Sequence, residues 1–123
     1  MEQLTLRLLG LNSLAVDSSP VAVAITAAKL VTVTTDEVIN EARAILATRR
    51  RVQTPQGVFW DWAFNRDVLR TVCKFRQAFL YDCSTPARKA LRGILLGALH
   101  GPKQKTFPSY LSNQCPRTYA PKP

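Results

Sequence analysis

Apolar positions recur at helical spacing in three stretches of this chain, and two further apolar runs nearer its start are bounded by helix-ending or helix-starting residues. Leu4, Leu6, Leu8 and Leu9 precede Gly10, the residue type best suited to closing a helix in the left-handed region. The pattern predicts the last turns of a helix over 2–9. Ser19-Pro20 then offers an N-cap and a proline at the first helical position, where its missing N–H costs nothing. The helix that follows, to about Val31, is apolar nearly all round and is expected to be buried on most sides. Thr34 and Glu37 have capping-box spacing, and Val38, Ile39, Ala42, Ile45 and Leu46 form an amphipathic stripe behind them. Arg49-Arg50-Arg51 is expected to close that helix against the negative end of its dipole.

After a polar loop over 52–57, the run Val58-Phe59-Trp60-Asp61-Trp62-Ala63-Phe64 is the aromatic centre of the chain. Such residues anchor a small core more often than they stack on bases. Asn65 is placed to cap a helix carrying Val68, Leu69, Val72, Phe75, Phe79 and Leu80 on one side. Thr85-Pro86 opens another, with Ala87, Ala90, Leu91, Ile94, Leu95 and Ala98 on its core face and Gly101-Pro102 at its end. The tight corner at Ser84 predicts an αα-hairpin or a right-angled pair. Gly93 and Gly97, four apart, predict a close helix–helix approach. From Gly101 onward five prolines exclude a regular element and predict an extended arm. Leu14-Ala15-Val16 is the one expected strand, short and buried, with Asp17 at its carboxyl end.

Charge changes the picture. The 123 residues carry a formal +9, but unevenly. Residues 1–48 hold three basic and five acidic side chains, a net of −2, whereas 49–123 hold 14 and three, a net of +11. A strongly basic segment joined to a mildly acidic one predicts a polyanionic partner, foremost a nucleic acid. Three units follow: 1–48, a basic helical region over 49–100, and the arm over 101–123. Arg49, Arg50 and Arg51 are candidates either for DNA phosphates or for plain helix termination. Arg88, Lys89 and Arg92 make a compact basic face, phosphate-contacting or simply solvated. In the arm, Asn113, Gln114, Arg117 and Tyr119 are the candidate nucleic-acid contacts.

Cys73, Cys83 and Cys115 are odd in number, and on one helix the first two would lie roughly 15 Å apart along the axis, too far for a disulfide. Reduced thiols in a cytoplasmic protein are the expectation. His100 is the lone histidine, without ligands at metal spacing. The longest apolar stretch, Val21–Val33, contains Lys29 and is too short to span a bilayer.

The opening block carries a more specific signal. Gly10-Leu11-Asn12, the expected strand, Asp17, Ser18-Ser19-Pro20 and then Val-Ala-Val-Ala-Ile-x-x-Ala-Lys resemble the second strand and following helix of Rossmann-like S-adenosylmethionine-dependent methyltransferases. They are most similar to the DNA methyltransferases that modify adenine N6 or cytosine N4. Cys83–His100, Leu111–Gln114 and Arg117–Pro123 also resemble the region before the catalytic motif of one such subfamily. The resemblance implies an α/β fold, truncated here to a mostly α-helical piece with one short strand. It implies that Asp17 binds the cofactor ribose, that Ser18 also belongs to the cofactor site and that Val21 lines the adenine side; a carboxylate at a strand's carboxyl end faces the nucleotide crevice of such sheets. On the residues alone, the simpler reading is that Asp17 helps to cap the next helix. The Gly-x-Gly cofactor loop and the Pro-Pro-aromatic tetrapeptide of that family have no counterpart in these 123 residues. The resulting expectation is an internal piece of a methyltransferase, inactive alone, whose sheet a second polypeptide or copy would complete. The alternative is a non-enzymatic basic helical module that binds nucleic acid.

Overall fold

The computed structural model describes residues 2–64 and 66–98, apart from the side chains of Glu2, Trp62 and Ala63. They form six helices: α1 (Glu2–Leu8), α2 (Pro20–Leu30), α3 (Thr35–Ala47), α4 (Val58–Ala63), α5 (Arg66–Tyr81) and α6 (Pro86–Ala98). Among the described residues there is no strand. The mostly helical expectation therefore holds, while the short strand does not form. Leu14 and Val16 are each 91% exposed. Three residues without a neighbouring strand have no ladder to join, and their backbone groups are left to water.

Local chemistry sets most helix ends. Gly10 sits at φ 74°. Its N–H donates to the Arg7 carbonyl at 3.0 Å and that of Leu11 to the Leu6 carbonyl at 3.0 Å, the paired bonds of a Schellman ending. Ser19 caps α2, its Oγ accepting from the Ala22 N–H at 3.3 Å. At α3 the Glu37 N–H donates to Thr34 Oγ1 at 3.2 Å and the Thr34 N–H to Glu37 Oε2 at 3.1 Å, so both halves of the capping box are made. Thr85 Oγ1 accepts from the Arg88 N–H and opens α6. The Asn65 cap lies outside the described residues, as do the Gly101-Pro102 ending and the arm over 101–123. The helix α4 was hidden from periodicity because six residues of nearly unbroken aromatic and aliphatic character show no repeat.

Two small cores hold the helices. Phe64, Leu69 and Cys73 form one, with Val52, Trp60 and Val68 packed against it. Trp60 stacks on Phe64 at 6.1 Å between centroids and meets Phe59 edge-on at 5.1 Å, so this tryptophan anchors a core as expected. Ile45 of α3, Phe75 of α5 and Leu91 of α6 form the other, flanked by Val38, Ala42, Phe79 and Leu95. That cluster joins residues on both sides of position 48. The α5–α6 pair meets through Phe75 and Leu91 rather than as a backbone-close hairpin, and α6 lies closest to α2.

The α2–α6 approach depends on one of the two glycines. A methyl added at Gly93 would overlap the Cβ of Ala28, whereas one added at Gly97 would meet nothing within 4 Å. Gly93 is therefore the contact residue and Gly97 is not. The helix α2 itself is less covered than its composition predicts: Ala24 is buried, but Val21 and Val23 are 51% and 49% exposed. Its Ala24 and Ala28 lie against α6, and about half of each of these two valines stays open to solvent.

Candidate nucleic-acid interface

The basic residues divide into those used inside the fold and those left outside it. Arg88, expected on a basic face of α6, is drawn inward. Its Nε donates to Glu41 Oε1 at 2.7 Å, and its Nη1 donates to the carbonyls of Ala78 at 3.1 Å and Asp82 at 2.8 Å. The two charged side chains are only 22% and 28% exposed. One guanidinium thus ties α6 to α3 and to the carbonyl end of α5, where the Ala78 carbonyl also accepts from the Asp82 N–H at 3.0 Å. Arg88 does not stand on a free cationic face with Lys89 and Arg92. Arg92 is half-buried, its Nε enclosed with no acceptor among the described residues, and Lys89 is also half-buried.

Helix α3 ends at Ala47, before the three arginines. Its last carbonyls are met instead by Thr48, whose N–H donates to Ile45 O at 3.2 Å and whose Oγ1 donates to Ala44 O at 3.2 Å, and by Lys74, whose Nζ donates to Leu46 O at 3.3 Å. This corrects the expectation that Arg49–Arg51 closes the helix. Freed from that task, all three arginines are exposed. The Arg50 guanidinium lies over the Tyr81 ring at 5.5 Å. Arg50, Lys74 and Arg88 line one hollow of about 340 Å³ with Thr48, Gln77 and Tyr81. Sequence reasoning did not select Lys74 or Tyr81. Lys74, Gln77, Ala78 and Tyr81 share one face of α5 at helical spacing, and that stripe was the signal available.

Arg70 pairs with Asp67 at 3.5 Å and Arg88 with Glu41 at 2.7 Å. Arg49, Arg51, Arg66 and Arg76 are exposed outside these two salt bridges. Asn113, Gln114, Arg117 and Tyr119 lie outside the described residues.

Two titratable groups are displaced. Hydrogen bonds from Ser84, side chain and backbone, hold the Asp82 carboxyl below its ordinary range, with the Ser84 N–H at 3.0 Å from Oδ1. Burial raises the Cys73 thiol, against an opposing effect of Arg76. Cys73 and Cys83 are free thiols. Among the described residues no cluster of three His, Cys, Asp or Glu side chains could hold a metal ion.

The residues expected around an S-adenosylmethionine ribose are not gathered into a cleft. Asp17 and Ser18 are exposed, and Asp17 Oδ1 accepts from the Ser19 N–H at 2.8 Å. The carboxylate thus braces the entry to α2. Val21 lines an apolar groove against α5 and α6, of which Asp17 and Ser18 are not part. No described helix is long and apolar enough to cross a membrane. Comparison with known protein families, curated proteins and solved structures finds no match to this chain.

Proposed function

We propose that this protein is a non-enzymatic basic helical module that binds nucleic acid through its phosphates. The observation that carries the reading is the set of exposed guanidiniums over residues 49–98 that lie outside the two salt bridges, Arg49 and Arg51 beside Arg50 and then Arg66 and Arg76. Each phosphate neutralised by such a group releases condensed counterions, so binding of this kind weakens steeply with salt and reads no sequence by itself. Arg88, committed to Glu41 and two carbonyls, acts as a positioning residue in this reading.

The test is fluorescence anisotropy with a labelled duplex of about two helical turns across a salt series. Binding at low salt is expected, with a linear fall of log K against log salt. Replacing Arg49, Arg50 and Arg51 together by Gln lowers the slope by about 2–3. Absence of binding at low salt, or a triple variant with an unchanged slope, overturns the proposal.

A second reading, a piece of an S-adenosylmethionine-dependent DNA methyltransferase of α/β fold, draws support from one feature. Leu14 and Val16, two apart and fully exposed, stand between the Gly10 turn and a Ser-Pro-capped helix, as a strand without its sheet would. In that reading a second polypeptide or copy pairs with them, Asp17, Ser18 and Val21 hold the cofactor in the assembled sheet, and the setting is cytoplasmic. Cofactor binding by the full chain that disappears in Asp17→Ala supports it, and no binding at millimolar S-adenosylmethionine leaves only a remnant of such an enzyme.

A further inference from the structure

The groove beneath α2 shares Arg76 with the exposed guanidiniums of the proposed phosphate-binding set, but its apolar walls are a chemistry that phosphate binding does not use. Val21 of α2, Phe75 and Phe79 of α5 and Leu95 of α6 give it apolar walls enclosing about 440 Å³, a volume in the range of small-molecule sites. Phe75 and Phe79 are stacked, 6.1 Å between centroids and 25° between planes, and form one aromatic wall. Two guanidiniums interrupt the apolar lining: Arg76, exposed, and Arg92, whose Nε is buried with no acceptor among the described residues. None of the residues lining the groove is acidic. The Arg92 Nε is itself closed to solvent, so what the side chain brings to the groove is the charge of its guanidinium. A nucleic-acid phosphate carries no apolar part to fill the walls beside it.

We infer that this groove binds a small amphipathic anion, a medium-chain carboxylate whose tail lies along Phe75, Phe79 and Leu95 and whose head is met by Arg92 and Arg76. Charge selects the head and the apolar walls select the tail, so neither a short anion nor a cationic amphiphile fits. Val21, half-exposed in the free protein, becomes covered when the groove is filled.

The experiment is a titration of the full chain with dodecanoate below its micelle concentration, followed by methyl and aromatic NMR shifts. Acetate and dodecyltrimethylammonium serve as the head and tail controls. Saturable shifts at Val21, Phe79 and Leu95 are expected with dodecanoate alone. Arg92→Met weakens that affinity about tenfold, the ordinary worth of one charge-assisted hydrogen bond. Arg76→Gln, at an exposed position that leaves the helical circular dichroism unchanged, weakens it severalfold. Equal binding of the cationic amphiphile, shifts confined to other surfaces, or unaltered affinity in both variants overturns the inference. So does occupancy by an acidic amphipathic peptide when dodecanoate fails to bind.

Discussion

Replacing Gly93 and Gly97 singly by alanine should move stability in opposite directions. At Gly93 the added methyl overlaps the Cβ of Ala28, with Ala28 Cα at 3.8 Å and the Ala24 carbonyl at 4.0 Å behind it. All three atoms belong to a helix backbone or its first carbon, so no side-chain rotation relieves the overlap and α2 must move off α6. Overpacking of a close contact costs roughly 1–3 kcal/mol, and here the rigid neighbour favours the upper part of that range. Alanine's better helix propensity returns about 1 kcal/mol. The net expectation for Gly93→Ala is a loss of about 2 kcal/mol. At Gly97 there is space, so Gly97→Ala keeps the propensity gain, about 0.5 kcal/mol so near the helix end. Urea unfolding followed by circular dichroism gives both numbers from the shift in midpoint at constant slope. Adding Ala28→Gly to Gly93→Ala reopens the space and should show a coupling of about 1 kcal/mol or more in a double-mutant cycle. If Gly93→Ala is as stable as Gly97→Ala, or the cycle shows no coupling, the close approach of α2 and α6 is refuted.

Arg88→Met should cost about 3 kcal/mol, because it strands the partly enclosed Glu41 carboxylate and takes a donor from the Asp82 and Ala78 carbonyls, the second of which keeps the Asp82 N–H, and Glu41→Gln about 1 kcal/mol; thermal unfolding of both variants checks the order. The Asp82 carboxyl, depressed by Ser84, contributes stability that is present above the ordinary carboxylate range and lost as pH falls through its lowered folded value. Carboxyl-carbon NMR should therefore show Asp82 titrating at higher pH in Ser84→Ala than in the parent chain. Cys73, buried and with its thiol raised, should be alkylated by iodoacetamide at pH 8 more slowly than Cys83; equal labelling by mass spectrometry would contradict the packing of Phe64, Leu69 and Cys73.

What could be read in the chain was local. The Gly10 ending, the Ser19 cap, the Thr34–Glu37 box and the Thr85-Pro86 start all depend on groups within six residues of one another, so sequence spacing alone specifies them. The stripes Val38–Leu46, Val68–Leu80 and Ala87–Leu95 likewise supplied the core residues Ile45, Leu69, Phe75, Ala90 and Leu91. The basic half was visible as composition. Its division into exposed and internal guanidiniums was not.

That division came from partners far along the chain. Arg88 meets Glu41 across 47 positions, and Lys74 takes the Leu46 carbonyl across 28, leaving Arg49–Arg51 without the helix end expected for them. The two glycines carry the same spacing signal, but only the path of α2 puts Ala28 against Gly93 and leaves Gly97 open. The expected strand at Leu14–Val16 failed for the same reason, since a strand exists only with a neighbour, and the described fold provides none. Caps and amphipathic stripes are short-range energies and are written in the sequence. Which charge is spent inside, which apolar face stays bare and where a groove opens follow from how the helices cross.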